Sequence, residues 1–189
     1  MNEIAKKKLL TAENWQEAAL NVIAHNGVAG VAVEPLAREL GVTKGSFYWH
    51  FSSRMDLVQQ ALQRWRSNDK KIVEEKILPI KNPKKRLLAW FQLSAEPYQT
   101  HLIYSTLLAD RSHAIISKIL KEVTFERLAY LQSSYTEMGY DSKQAKSQAL
   151  LAYSVYVGFL HMSKTLYGSL PDSHEAEAYA KYVAKQLIP

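Results

Sequence analysis

The residues best suited to binding chemistry stand together in one short stretch, which reads GVTKGSFYWHF from Gly41 to Phe51. Lysine donates hydrogen bonds to guanine edges in the major groove of DNA, while hydroxyl and imidazole groups bind phosphate oxygens. Side chains of these types, concentrated at the start of a short helix, indicate a surface that contacts nucleic acid.

The flanking residues predict two short helices joined by a tight turn. Glu34 and Pro35 open the first helix, and Pro35 suits the first helical position because its missing N–H is not needed there. Gly41 ends that helix, since glycine adopts a left-handed backbone without strain. Thr43 is the expected N-cap of the second helix, which begins at Lys44, and its hydroxyl is expected to satisfy a free backbone N–H. This is a helix-turn-helix pattern.

The second helix has an inner and an outer side. Phe47 and Phe51 lie four residues apart, so both are expected to pack inward. The other side chains cover the outer surface, and the aromatic pair there, Tyr48 and Trp49, is unusual for a surface without a partner. The pattern favours DNA binding over the alternative, a small helical hairpin with no nucleic-acid role.

The run from Trp15 to Leu62 resembles the N-terminal domain of the tetracycline-repressor (TetR) family of bacterial transcription regulators. The resemblance rests on the pattern Gly-Val-x-x-x-x-x-Tyr-x-His-Phe and on the basic residue Arg54 that follows it, and it covers about a quarter of the chain. It implies an all-helical homodimer with a three-helix DNA-binding domain and a larger helical body that usually holds an inducer.

The resemblance also implies which residues contact DNA. Lys44 is expected to donate to guanine O6 or N7, and Gly45 lets the backbone approach the groove. Arg54 is expected to bind a phosphate from the start of the next helix. Trp49 stacks on a sugar, contacts a thymine methyl group or packs against the first helix. The full predicted contact set is Glu34, Thr43, Lys44, Gly45, Ser46, Tyr48, Trp49, His50 and Arg54, in which Thr43, Tyr48 and His50 are expected phosphate ligands.

Glu34 departs from the family pattern, in which a basic or polar residue is common near the start of the first motif helix. Two interpretations remain open. The carboxylate selects a base by accepting a hydrogen bond from cytosine N4, or it caps the helix and points away from DNA.

Helical periodicity and capping patterns predict an all-α fold of about nine helices. The first helix is expected from Ala12 to His25 and the fourth from Ser53 to about Lys76; Pro79 then helps to mark a boundary. Further helices are expected after Pro83 and over about 98–109, 112–138, 141–167 and 172–187. The predicted domains are a helix-turn-helix domain (1–54), a connecting helix (55–78) and a helical effector-binding and dimerisation domain (79–189).

Aromatic and polar side chains of the predicted body suggest an apolar pocket with a few orienting polar groups. The alternative is an ordinary aromatic core. A bound effector would act by preferring one body conformation, and the connecting helix would carry the shift to the DNA-binding domain. The candidate pocket residues are Trp90, Phe91, His101, Tyr104, Phe125, Tyr153 and Tyr156.

A homodimer is expected because one recognition helix reads only a few base pairs, whereas a symmetric pair reads a palindromic operator. The candidate dimer surface is a stripe that contains small residues, which permit close approach of two helices. The alternative is that this stripe packs inside the monomer, since a periodic apolar face does not show which chain it meets. Its residues are Ala145, Ala149 and Ala152, together with Tyr179 and Val183.

Composition limits the remaining classes of protein. The chain of 189 residues has a formal net charge of +6 and a pI near 9.3, which suits a polyanionic partner. It has no cysteine, no metal-ligand spacing and no phosphate-binding glycine loop, so we expect neither a metal nor a cofactor. No leader pattern or membrane-length apolar stretch is evident, so the expected location is the cytoplasm.

These patterns predict a sequence-specific regulator that binds double-stranded DNA, a repressor that a small-molecule effector releases from its operator. The repressing sign of the regulation rests on the family resemblance alone. The alternatives are a DNA-binding regulator without a ligand, a protein-interaction adaptor and an enzyme. An enzyme is not expected, although His101, Asp110 and His113 are close enough in sequence to be considered as an acid/base group.

Overall fold

The computed structural model describes residues 10–95, 99–110, 113–167 and 172–189. Within these ranges the chain contains helices and no strand, which confirms the all-α prediction, and no helix there is long and apolar enough to cross a bilayer. The α-helices of the described residues are α1 (Ala12–Asn26), α2 (Val33–Glu39), α3 (Lys44–Phe47), α4 (Arg54–Lys76), α5 (Pro83–Ala95), α6 (Gln99–Ala109), α7 (Ala114–Glu137), α8 (Ser142–Tyr167) and α9 (Ser173–Leu187).

Most helix ends lie close to their predicted positions because side chains adjacent in sequence determine them. Ser53 Oγ accepts a hydrogen bond from the Asp56 N–H at 3.1 Å and caps α4. Asp141 does the same for α8, accepting from the Gln144 N–H at 2.8 Å. Gly41 has a φ of 68°, the left-handed conformation predicted for the residue that follows α2.

The two helices of the helix-turn-helix differ from the prediction in their limits. The first, α2, begins at Val33 after its N-cap Ala32, so Pro35 occupies the third helical position rather than the first. The missing N–H of Pro35 still costs nothing, because the first N–H groups of a helix have no partner within it. The second, α3, begins at Lys44 as expected but ends at Phe47, and the chain continues as a turn.

The N-terminal helices pack around aromatic rings. Phe47 meets Trp15 of α1 edge to face, with ring centroids 5.4 Å apart, and its ring also lies 5.4 Å from that of Phe51. All three side chains are buried. The prediction that both phenylalanines face inward is therefore confirmed, and the opposite side of α3 is left to solvent.

The helices from α5 onward form the body, in which α7 packs along α8 and α5 along α9. Several contacts join the N-terminal helices to this body: α1 packs against α6, α4 packs against α7, and Trp65 Nε1 of α4 donates to Thr100 Oγ1 of α6 at 2.8 Å. A movement of the body helices can therefore reach the helix-turn-helix through both α1 and α4. The domain limits at residues 54 and 78 remain predictions, since α4 runs without interruption from Arg54 to Lys76.

Candidate nucleic-acid interface

The outer side of the helix-turn-helix presents large aromatic rings to solvent. Trp49 is 87% exposed and Tyr48 is 60% exposed, whereas the adjacent Phe47 is fully buried. Two adjacent large rings exposed beside a cation are typical of a binding surface. The other predicted contact residues of this stretch are exposed (Thr43, Lys44, Gly45) or half-buried (Ser46, His50).

Thr43 and Gly45 lie in the first turn of α3. Thr43 is the N-cap and has an extended backbone, but its hydroxyl accepts no capping hydrogen bond from α3, contrary to the prediction. A Cβ added to Gly45 would come within 3.7 Å of Thr43 Oγ1, an ordinary van der Waals contact. The fold itself therefore does not require glycine at this position, and close approach of the Gly45 backbone to DNA stays a prediction.

Glu34 lies in the first turn of α2 but is not its N-cap, and base selection by its carboxylate stays a prediction. Ala32 is the N-cap of α2, and the Glu34 carboxylate instead accepts a hydrogen bond from Lys44 Nζ at 2.7 Å. This pair lowers the pKa of Glu34 and raises that of Lys44, so both groups stay charged at neutral pH. The cation predicted to read guanine is therefore bound to a carboxylate of the same surface.

Arg54 does not point toward solvent as a phosphate ligand would. Its Nε donates to the Val31 carbonyl at 2.5 Å, and its Nη2 donates to the Val28 carbonyl. The guanidinium thus joins the first residue of α4 to the segment between α1 and α2. This corrects the expectation of an anchor facing the phosphates, because these hydrogen bonds hold Arg54 within the domain.

In the body, four predicted pocket residues come together around Arg127, which the sequence reasoning did not single out. The Arg127 guanidinium carbon lies 4.5 Å from the ring centroid of Tyr104 and 5.4 Å from that of Tyr156. Tyr153 bonds to the Tyr104 hydroxyl, and His101 bonds to the Tyr156 hydroxyl at 2.8 Å. All five side chains are buried.

A continuous series of hydrogen bonds satisfies this cluster. Arg127 Nη2 donates to both carboxylate oxygens of Asp69 at 3.0 Å, and Nη1 donates to the Tyr156 hydroxyl at 3.2 Å. The Leu93 carbonyl can only accept, so His101 Nε2 carries the proton in that 3.0 Å bond and Nδ1 accepts from Tyr156. The cluster is a buried polar core that ties α4 to α7.

Burial controls the charge states in this core. Burial, and then the nearby charge of Arg127, lower the pKa of His101 to about 4, so the imidazole is neutral at pH 7. Burial raises the pKa of Tyr153 and of Tyr156. The opposite charges that the cluster brings together are therefore those of Arg127 and Asp69.

One signal in the sequence points to Arg127. It stands at the spacing of a core residue on α7, four residues after Val123 and four before Leu131, both of which are buried. A charged residue inside an apolar helical stripe requires a buried partner. Asp69 lies 58 residues earlier, and no local pattern connects the two.

The predicted effector pocket is mostly filled by protein atoms. Phe91 and Tyr156 line a cavity of about 30 Å³ between α5, α8 and α9, which has room for about two waters. Phe125 is not a pocket residue: it is 61% exposed, with Lys121 Nζ 5.9 Å above its ring. A larger opening of about 400 Å³ lies between α6 and α8, and none of the predicted residues line it.

The predicted dimer surface is also largely internal. Ala145, Ala149 and Ala152 are at most 1% exposed because α8 packs there against α7, and Val183 is buried as well. Only Tyr179, at 40%, is exposed. The alternative that the stripe packs inside the monomer is therefore the correct one for the three alanines and Val183.

The two histidines considered as part of an acid/base group have structural roles. His101 belongs to the buried core, and the His113 Nδ1 atom accepts a hydrogen bond from the Ile115 N–H at the start of α7. Over the ranges that the structure describes, no group of three or more His, Asp or Glu side chains is arranged to hold a metal ion.

Comparison with known proteins identifies the N-terminal part of the chain. Residues 17–61 match the family model described as bacterial regulatory proteins, tetR family. The matched residues include both helices of the helix-turn-helix, α2 and α3. The HTH-type transcriptional regulator SrpR of Pseudomonas putida is 35% identical to this chain over 63 residues, with 31% of this chain and 30% of that protein covered. The chain thus aligns with less than half the length of the curated relatives it matches.

The likeness to solved TetR-family regulators extends over the body as well. A TetR-family transcriptional regulator from Agrobacterium tumefaciens superposes with a TM-score of 0.78 at 14% identity, over 94% of this chain and 97% of the other. AibR, solved in complex with isovaleryl coenzyme A and operator DNA, superposes with a TM-score of 0.70 at 14% identity, over 94% of this chain and 98% of the other. At these identities the likeness establishes the fold.

Proposed function

We propose that this protein is a dimeric transcriptional regulator of the TetR family that binds double-stranded DNA sequence-specifically through α3 and the turn after it. The observation that carries the proposal is the surface on which Lys44, Tyr48 and Trp49 are exposed while Phe47 and Phe51 fill the core behind them. In this function Lys44 reads a base edge, Thr43, Ser46 and His50 bind phosphates or sugars, and the aromatic rings pack against the duplex backbone. The related proteins are transcriptional regulators rather than enzymes, and the same activity is proposed for this chain.

The test is selection of a binding site from random duplexes, followed by titration of the enriched duplex. Lys44→Ala should weaken binding about 10- to 100-fold and relax the preference at one base pair. Lys71→Ala is the matched control, because Lys71 is an exposed lysine paired with Glu75 far along α4. Failure to enrich any palindromic sequence, or equal losses from both variants, would contradict the proposal.

The homodimer is proposed to form through an apolar face of α8 and α9 that the monomer leaves uncovered. Leu151, Met162 and Leu166 recur at helical spacing on α8 and are between 49% and 63% exposed, and Tyr182 on α9 is 62% exposed. A Cβ added at Gly158, within the same stripe, would meet nothing within 4 Å, which leaves room for close approach of a second helix. Such a face is typical of an interface with another copy.

Light scattering tests the dimer. The native protein should have twice the chain mass of 21.5 kDa. Met162→Glu should convert it to a monomer, because a carboxylate would be buried without a partner, whereas Lys143→Glu at the exposed start of α8 should not. A monomeric native protein at micromolar concentration would contradict this part of the proposal.

The effector is proposed to be a small molecule that binds the body and releases the repressor from DNA. Coupling through the α1–α6 and α4–α7 contacts supports this function. The AibR complex supports it as well, because that protein was solved with both a coenzyme A ester and operator DNA. A second candidate is a regulator without an effector, which the well-filled aromatic core favours. The two candidates are distinguished by whether a metabolite releases the enriched duplex from the protein.

A further inference from the structure

The opening between α6 and α8 differs from the aromatic core in both size and chemistry. Its volume of about 400 Å³ falls within the range of small-molecule sites, whereas the cavity beside Tyr156 holds about 30 Å³. One of its two walls is α6, which also packs against α1. Its walls are formed by Ser105, Leu108 and Ala109 of α6 and by Val157, His161, Lys164 and Thr165 of α8.

The lining of this groove favours an organic anion. Leu108 and Val157 supply apolar surface, Ser105 and Thr165 supply hydroxyl groups, and Lys164 supplies a positive charge. Among the lining residues that the structure describes, none is acidic. A ligand that is apolar at one end and negatively charged at the other would match both parts of the wall.

Lys164 is also connected to the DNA-binding domain. Its Nζ donates to Thr106 Oγ1 at 2.9 Å, and Thr106 Oγ1 donates to the carbonyl of Ala24 in the last turn of α1 at 2.9 Å. Thr106 is buried at the α1–α6 contact, where its methyl carbon would lie 3.8 Å from a Cβ added to Gly27. An anion that draws the ammonium group away from Thr106 would change a contact that holds α1 on the body.

We propose that the α6–α8 groove binds a small organic anion through Lys164. The anion replaces Thr106 as the hydrogen-bond partner of Lys164, and this replacement lowers the affinity of the protein for DNA. This inference rests on the proposed function and assigns to the effector a chemical class and a site. The anionic group is a carboxylate or a phosphate ester, since an ammonium group binds either as a point charge.

The experiment uses octanoate, phenyl phosphate and the uncharged analogue octanol as probes, titrated into the full-length protein by calorimetry. At least one anion should bind, and octanol should bind at least about tenfold more weakly, because a hydrogen bond to a charged group is lost. Preference for octanoate or for phenyl phosphate identifies the anionic group. Lys164→Met should weaken anion binding about 10- to 100-fold. Lys143→Met, on the same helix but outside the groove, should leave anion binding unchanged.

Coupling is measured separately, with the duplex enriched by the native protein. The anion should weaken DNA binding by the native protein and not by Thr106→Val, which removes the hydroxyl group while nearly preserving side-chain shape. Thermal melting checks that Lys164→Met and Thr106→Val are folded. Binding of octanol as tight as that of octanoate, equal anion binding by Lys164→Met, or unchanged DNA affinity at saturating anion would overturn the inference. None of these results affects DNA binding by the ligand-free protein, on which the proposed function is judged.

Discussion

Two ion pairs, each between a basic side chain and a carboxylate, differ in what they contribute to this molecule. Asp69 and Arg127 join α4 to α7, with side chains 15% and 4% exposed, while Glu34 and Lys44 join α2 to α3, with side chains 69% and 53% exposed. The distances are similar, 3.0 Å and 2.7 Å. Their surroundings differ: the first pair lies among aromatic rings, and the second lies in water.

The environment decides what each pair contributes. Water screens an exposed pair and replaces it readily, so such a pair contributes little to stability. Breaking a buried pair leaves one charge without either partner or solvent, and the cost is large even where the intact pair gains little over an apolar core. The Asp69–Arg127 pair therefore helps to fix the position of α4, whereas Glu34 and Lys44 can separate at little cost, as the proposed DNA contact requires.

The largest expected effect is that of Asp69→Ala. It leaves the Arg127 guanidinium buried without a carboxylate, and the free energy of unfolding should fall by about 3–5 kcal/mol. Urea denaturation measures this change. Glu75→Ala removes an exposed carboxylate from the same helix and should have little effect. Equal destabilisation by the two variants would show that the buried environment does not matter.

The second prediction concerns pH. The native His101 imidazole stays neutral until about pH 4, whereas in the unfolded chain it takes up a proton near pH 6.5. The unfolded state therefore binds more protons than the native state between these pH values. The free energy of unfolding must decrease by about 3 kcal/mol in total as the pH falls from 6.5 to 4. Above pH 6.5 the contribution of His101 to stability is fully present. His101→Gln should lose this part of the pH dependence.

The readout for His101 is the difference between native protein and variant, since carboxylates also titrate in this range. His174→Asn, at an exposed position in α9, is the control and should retain the native slope. A native slope in His101→Gln would mean that the buried imidazole is already charged.

Arg54→Ala should have an intermediate effect. It removes the hydrogen bonds to the Val28 and Val31 carbonyls, and the free energy of unfolding should fall by about 1.5–3 kcal/mol. Arg54→Lys keeps the charge without the forked geometry and should recover little of that loss. If Arg54 were instead a phosphate ligand, the lysine variant would be as stable as the native protein, and the alanine variant would have a smaller salt slope of DNA binding.

Glu34→Gln should have the smallest effect on stability, with a melting temperature within about 2 °C of the native value. Its effect should appear in DNA binding instead. Removal of a carboxylate from a surface that faces phosphates should tighten binding to all duplexes about 3- to 10-fold at low salt. Glu39→Gln, also exposed on α2, is the control, and a loss of affinity for the enriched duplex alone would indicate that Glu34 accepts from cytosine.

The sequence by itself determined the helices and the helix-turn-helix. Ser53, Asp141 and Asp172 cap helices through hydrogen bonds to residues two or three positions away, and Gly41 takes the left-handed conformation that its position requires. These interactions are local, so the identity of a few neighbouring residues is sufficient to predict them. The inward placement of Phe47 and Phe51 follows from helical spacing in the same way.

Only the tertiary structure decided which surfaces meet. Periodicity shows that one side of α8 is buried, but it does not show that α7 of the same chain covers Ala145, Ala149 and Ala152. The partner of Arg127 lies 58 residues away, and the carbonyl partners of Arg54 come from a segment that precedes α2. Contacts of this kind depend on how helices far apart in the chain pack, and side-chain type and local spacing carry no information about that arrangement.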